Sequence, residues 1–304
     1  MKILAVQDVN KIDILLENTA ICIGKFDGIH RGHRLLIQKA KSTGCPVVMV
    51  TFDFDKTELY SRAEKEKLAY ENGVDYLITI TATRSFFDMT AEDFIEKILM
   101  KQLGVSCVVV GTDFRFGHGR SGSPDLLRQY GENYGFSVCV MDKLMDEDQV
   151  ISSTRIRQLV EEGQLRKANQ LLVTPFFFSG VVTHGNQIGR TMAVPTANLV
   201  PEKEKLLPPF GVYSVRVVVD GTCYDGVANL GVKPTVGDGE TPGLEVWLFD
   251  FSGNLYNKEI VVYLMAFQRR ERKFDSLKEL QKQIGKDTVL AKENLAKEDF
   301  LSKH

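Results

Sequence analysis

Cys22-Ile23-Gly24-Lys25-Phe26-Asp27-Gly28-Ile29-His30-Arg31-Gly32-His33 is the stretch on which the fold of this chain turns. Before it, Ala20-Ile21-Cys22-Ile23 is a short apolar run of strand type; after it, residues 34–41 carry apolar side chains at helical spacing. A strand therefore passes through a glycine-rich turn into a helix, with His30 and His33 flanking the helix N-terminus. Unpaired backbone N–H groups and the positive end of the helix dipole attract phosphate there, and Gly24, Gly28 and Gly32 let backbone and ligand approach. Two imidazoles at that point are able to donate hydrogen bonds to phosphorus-bound oxygens as charge builds on them. His-x-Gly-His alone also suits a helix-opening turn or half of a metal site. The preceding Gly-x-Phe-Asp-Gly favours phosphate chemistry.

Around this segment the first half alternates strand-like runs with helical patterns. Val47 to Phe52 is followed by Ala91 to Leu103, Cys107 to Gly111, Ser123 to Tyr134 and Ser137 to Val140. Such alternation predicts an α/β domain, a Rossmann-like parallel sheet covered by helices, whose ligands bind beyond the carboxyl ends of the strands. After about residue 174 the texture becomes β-rich and is divided by Gly, Pro and Asn, with runs at Phe176–Val182, Gly211–Val219, Thr222–Asn229, Leu244–Phe251 and Glu259–Phe267. That spacing predicts a small barrel or sandwich. A last helical segment, Ser276 to about Asp299, carries Leu277, Leu280 and Ile284 at core-facing intervals. The boundary is placed near Thr174-Pro175, giving domains 1–174 and 175–304.

Composition agrees with two globular domains: 304 residues, 43% hydrophobic and 26% charged. No apolar run reaches bilayer length, and Met1 to Val6 is too short an apolar run for a secretory signal, so a cytoplasmic protein without a membrane partner is expected. Five cysteines, at 22, 45, 107, 139 and 223, show no C-x-x-C spacing and predict reduced thiols. A net charge of −2 argues against a broad nucleic-acid footprint. It leaves Arg269-Arg270-Glu271-Arg272-Lys273 as a local basic run whose meaning depends on its surroundings.

Two further segments stand out in the first half. Gly111 to Gly122 follows a strand and combines glycines with Phe114, Phe116, Asp113 and two arginines; such a loop either encloses a planar ring or simply covers surface. Ile151-Ser152-Ser153-Thr154-Arg155 opens a helix, where Ser153 or Thr154 suits a cap and Arg155 suits phosphate. The three segments, in this order, resemble the His-x-Gly-His nucleotidyltransferases. More closely, they resemble the adenylyltransferase half of the bifunctional riboflavin kinase and FMN adenylyltransferase (FAD synthetase) family, over nearly all of residues 1–174.

The resemblance implies that the FMN phosphate, already ionised at pH 7, attacks the α-phosphorus of ATP and expels pyrophosphate, so that orientation and charge stabilisation dominate over base catalysis. It assigns the catalytic work to His30, His33 and Arg155. Gly24, Phe26, Asp27, Gly28, Gly32, Ser153 and Thr154 would bind nucleotide, and Asp113, Phe114 and Phe116 flavin. Two departures are visible. Thr51-Phe52-Asp53-Phe54-Asp55-Lys56 replaces the usual Thr-Phe-Glu-Pro-His-Pro, and Lys25 stands where Asn is common.

In the second half, Ser179 to Arg190 followed by Thr191 to Leu199 resembles the nucleotide loop and Pro-Thr-Ala-Asn motif of riboflavin kinase. Thr196 and Asn198 offer hard oxygens suited to Mg²⁺, although an ordinary Pro-Thr turn would use them otherwise. Gly185, Gly189 and Arg190 are the implied nucleotide contacts. Pro208 to Tyr213, Ala228 to Thr235 and Leu244 to Asp250 repeat the family order. Glu245 is the candidate general base toward the ribityl 5′-hydroxyl, though a Glu on an apolar strand also suits a solvated face. Tyr256-Asn257-Lys258 stands where Tyr-Gly-Lys is common, and Asn tolerates positive φ. The segment Phe267 to Phe274 resembles one that borders flavin and nucleotide, which places Arg269 at the site.

The expectation is thus a bifunctional transferase with ATP as co-substrate, Mg²⁺ as cofactor and riboflavin and FMN as small-molecule partners. The alternatives are a kinase whose adenylyltransferase has been weakened by the departure at residues 51–56, a flavin-binding regulator, and a nucleotidyltransferase for another substrate. The last gives no account of residues 175–304.

Overall fold

The structure is a computed structural model and describes residues 1–7, 12, 14–54, 56–183, 196–234 and 240–297. Gly185, Gly189 and Arg190 lie outside the described residues. The chain divides into two compact units, Met1–Ser153 and Thr154–His304.

In the first unit the order is β1 (Lys2–Val6), β2 (Thr19–Ile23), α1 (Arg31–Lys41), β3 (Val47–Asp53), α2 (Arg62–Glu71), β4 (Tyr76–Thr81), α3 (Arg84–Asp88) and α4 (Ala91–Asp93). The single turn α4 runs into a π-helical segment, Phe94–Gln102, and the two fill the helix expected over Ala91–Leu103. Then come β5 (Val105–Gly111), α5 (Pro124–Tyr134), β6 (Ser137–Met141) and a small hairpin of β7 (Met145–Asp146) and β8 (Gln149–Val150). Local signals set the helix ends. Ser61 and Glu64 form a reciprocal capping box on α2, and α5 opens on Ser123-Pro124 and closes on Gly135 at φ 83°.

Six strands form one parallel sheet in the order β1-β4-β3-β2-β5-β6. β2 is buried throughout and β3 except at its last residue, as expected of parallel strands covered on both faces. Strand order reverses at β2, with β3 on one side and β5 on the other. The crevice that such a reversal opens beyond the carboxyl ends is where ligands bind in these sheets. The Gly24–His33 turn leaves from β2 and the Gly111–Gly122 loop from β5.

The second unit begins with α6 (Ser153–Glu161) and α7 (Leu165–Leu171). Residues 154–174, placed with the first domain by sequence, gather with the second unit. Asn169 donates to the Leu264 carbonyl at 2.9 Å and accepts from the Phe176 amide at 2.9 Å. Six antiparallel strands follow: β9 (Phe177–Val181), β10 (Thr196–Leu199), β11 (Gly211–Val219), β12 (Thr222–Pro234), β13 (Glu240–Leu248) and β14 (Glu259–Arg270). Their order is β10-β13-β12-β11-β14-β9. The sheet curls until, among the described residues, its edges meet at the bridge of Thr183 with Asn198, where the Thr183 amide donates to the Asn198 carbonyl at 2.9 Å. Val215, Val217, Leu230, Leu244 and Val246 fill the concave face.

The closing helix α8 (Leu277–Ala296) corrects one expectation. Leu277 is 69% exposed, and the buried positions are Gln283, Asp287, Ala291, Asn294 and Leu295. The reason lies in the surface beneath, the convex face of the sheet, which presents Ser214, Gln268 and Arg269. Asn294 donates to Ser214 Oγ at 3.0 Å, Gln268 to the same oxygen at 2.9 Å, and Gln283 to Asp287 Oδ1 at 2.7 Å. A helix packed on a polar face buries polar side chains that find partners there.

Candidate active sites

In the first unit the two histidines are built into the start of α1. His30 is 7% exposed and caps the helix: its Nδ1 accepts the His33 amide at 3.2 Å. A ring nitrogen that accepts carries no proton, so neutral His30 presents Nε2–H. The His33 Nδ1 lies 2.9 Å from the Gly28 carbonyl, an acceptor only; Nδ1 therefore carries the proton and Nε2 the lone pair. The rings stack with centroids 3.6 Å apart. Burial, then the neighbouring His33, pushes His30 down to about 2. Burial lowers His33 to about 4 against the opposing pull of the Gly28 carbonyl and Asp27. Both imidazoles are thus neutral near pH 7, His30 able to donate from Nε2–H and His33 to accept at Nε2.

The turn itself is closely packed. Gly28 has φ 74°, and a Cβ there would meet Leu59 at 2.8 Å; one at Gly32 would press on the His30 ring at 3.2 Å. Phe26 is fully buried at φ 45°, its ring 4.9 Å from that of His33 and under Gly24. Asp27 is buried and accepts the Leu59 amide at 2.7 Å. Gly24, Phe26 and Asp27 therefore shape the turn. At the divergent strand end, Thr51 Oγ donates to the Lys25 carbonyl at 2.7 Å, while Phe52 and Phe54 join Phe86 and Phe87 in an aromatic cluster.

On the β5 loop, exposed Asp113 pairs with Lys143 at 2.8 Å, which holds its carboxyl below the usual range. Phe116 is in the core against Phe94, and half-buried Phe114 stacks on it with centroids 5.3 Å apart. Phe116 thus supports Phe114 from beneath. Ser153, Thr154 and Arg155 occupy the first turn of α6, across the division between the two units.

In the second unit the site is a matter of sheet register. Glu245 on β13 faces Asn198 on β10 and Asn229 on β12, so three polar side chains stand in one row on the convex face. Their neighbours Leu244 and Val246 point into the core. Thr196, two residues before Asn198, shares its face. Hydroxyl, amide carbonyl and carboxylate oxygens lie side by side, a donor set that fits Mg²⁺. Among the described residues no cluster of three or more His, Cys, Asp or Glu side chains offers a metal site. A cation here would accordingly use these mixed oxygens.

Asn229 and Glu271 carried no role in the sequence reading. Asn229 Nδ2 donates to Glu271 Oε1 at 2.8 Å, and that carboxylate lies over Gly231, where a Cβ would meet it. The available signal was an Asn, poorly suited to a strand, in the centre of Val227-Ala228-Asn229-Leu230. Arg269 continues the row through Val212. Its guanidinium forks onto Asp287 at 2.9 and 2.6 Å and also donates to the Arg270 carbonyl at 3.1 Å, tying β14 to α8.

A family model described as FAD synthetase matches residues 13–155, and one described as riboflavin kinase matches residues 172–295. The bifunctional riboflavin kinase/FMN adenylyltransferase of Escherichia coli (strain K12) is 40% identical over 292 residues, 91% of this chain and 93% of its own. That of Pseudomonas fluorescens is 36% identical over 284 residues, 89% of this chain and 91% of its own. A solved chain from Streptococcus pneumoniae, described as a macrolide-efflux protein, shares the fold with a TM-score of 0.84 at 30% identity, over 96% of this chain and 99% of its own. Among the described residues here, no helix is long and apolar enough to cross a membrane.

Proposed function

The chain belongs to the bifunctional riboflavin kinase/FMN adenylyltransferase family, and on that premise we propose that it converts riboflavin to FMN in the second unit and FMN to FAD in the first, using ATP in both steps. The observation that carries this is that each unit holds its own polar constellation suited to phosphate: the stacked histidines at the strand-order reversal, and the Asn198–Glu245–Asn229 row.

In the kinase step Glu245 takes the proton of the ribityl 5′-hydroxyl as that oxygen bonds to the γ-phosphorus of ATP, and ADP departs with the electron pair. Thr196 and Asn198 would hold Mg²⁺, whose charge offsets that of the phosphates. Asn229, anchored by Glu271, fixes one side of Glu245. Arg269 contributes by holding α8 on the sheet. The nucleotide contacts of Gly185, Gly189 and Arg190 are assigned from the motif alone.

In the adenylyl transfer His30 offers Nε2–H to a phosphate oxygen, and neutral His33 can accept a hydrogen bond at Nε2. Arg155, Ser153 and Thr154 are assigned to the phosphates on sequence, and Phe114 and Asp113 to the flavin. The Gly24–His33 turn keeps its anchor on Thr51, which supports retention of this activity despite the changed strand end. The five cysteines are free thiols, which suits a reducing compartment, and we place the protein in the cytoplasm.

Chromatography of products from riboflavin, ATP and Mg²⁺ tests the proposal. FMN and FAD are both expected, with pyrophosphate released when FMN is supplied. FMN alone would leave a kinase only, and neither product would overturn the assignment.

A further inference from the structure

The adenylyl transfer must neutralise a triphosphate, yet the two histidines at its turn are uncharged near pH 7. Within that same turn stands one ammonium group, on Lys25. Its main chain is fixed, since Gly24 donates to the Val50 carbonyl at 3.1 Å and Thr51 Oγ to the Lys25 carbonyl at 2.7 Å. Its side chain is 44% exposed and loosely held: Nζ lies 3.9 Å from Asp27 Oδ2, beyond good hydrogen-bond range, and 6.0 Å from the centre of the Phe54 ring. An aromatic face attracts a cation without engaging its N–H donors. Phe54 belongs to the strand end that diverges from the family, and Lys25 is the other divergent position in this region. The two changes meet in space.

We propose that Lys25, supported by Phe54, binds the β- and γ-phosphates of ATP that leave as pyrophosphate. An FMN phosphate oxygen bonds to the α-phosphorus, the bond from that phosphorus to the α,β-bridging oxygen breaks, and its electron pair leaves with pyrophosphate. No proton moves, and Lys25 remains protonated throughout.

This inference rests on the functional reading above, and the wild-type chain tests that separately: absence of FAD formation there would overturn the reading itself. With wild-type turnover in hand, Lys25→Asn and Lys25→Arg are compared in FAD synthesis with ATP varied and with inorganic pyrophosphate as product inhibitor. Lys25→Asn should lower kcat/KM for ATP about tenfold and weaken pyrophosphate inhibition by a similar factor, a fold-change expected for one charged contact. KM for FMN and riboflavin phosphorylation should be unchanged. Lys25→Arg should stay within about threefold of wild type, because it keeps the charge, and Phe54→Leu should fall between them. Lys25→Asn within about twofold of wild type in both ATP use and pyrophosphate inhibition, or Lys25→Arg as impaired as Lys25→Asn, would overturn the assignment.

Discussion

In the first unit the groups proposed to act on phosphate are also parts of the framework: His30 closes the start of α1 and His33 is held by the carbonyl of the turn. In the second unit Glu245 is placed by strand register, and its neighbours Leu244 and Val246 do the packing. Substitution should therefore separate activity from stability in one site and entangle them in the other. The difference shows that a pair of active sites on one chain need not share the same tolerance to mutation.

The largest effect expected is at Glu245. Glu245→Gln should slow FMN formation about a thousandfold, the scale of a lost general base, and leave the melting temperature and FAD synthesis from supplied FMN unchanged. A parallel fall in both activities would break the separation. His30→Ala should slow FAD formation about a hundredfold and also destabilise the first unit by about 1 kcal/mol through the lost cap, read by denaturant unfolding. His30→Asn sharpens the contrast, because Asn caps well: stability should return while FAD formation stays low. Full stability in His30→Ala would remove the framework role.

The smallest effect is a pH slope confined to the histidine site. Both rings are held below their ordinary value of 6.5, His30 at about 2 and His33 at about 4. Below pH 6.5 the unfolded chain takes protons that the folded chain refuses, so stability falls as pH drops from about 6.5 toward 4 and the histidines contribute no slope above 7. Denaturation midpoints between pH 7.5 and 5 should show a shallower decline in His30→Ala than in wild type. An unchanged slope would mean that His30 is not the group excluded from protonation.

Much of this was legible in the sequence because the signals are local. The strand–turn–helix at Cys22–His33, the helices near Ala91 and Ser123, and Asn257, which sits at φ 62°, are each fixed by residues within a few positions of one another. What escaped depends on distant partners. No local pattern tells that Asn198, Glu245 and Asn229 come into register, or that Arg269 meets Asp287. The apolar spacing of α8 misled because periodicity presumes an oily surface beneath, and the convex face of this sheet is polar. Residues 154–174 follow the first unit in sequence, and no local pattern tells that the hydrogen bonds of Asn169 run to Leu264 and Phe176.

The bridge that closes the curled sheet among the described residues has a kinetic consequence. Its acceptor is the carbonyl of Asn198, whose side chain stands in the row with Glu245. Edges held by few bonds fray first, on a free-energy scale well below that of global unfolding. Each such breath would release Thr183 from Asn198 while the row stayed in place, because Asn198 remains paired with Glu245 across β10 and β13. Amide exchange at Thr183 then becomes a clock for how often that seam opens, with Thr196, Asn198 and Glu245 held together on one side of it.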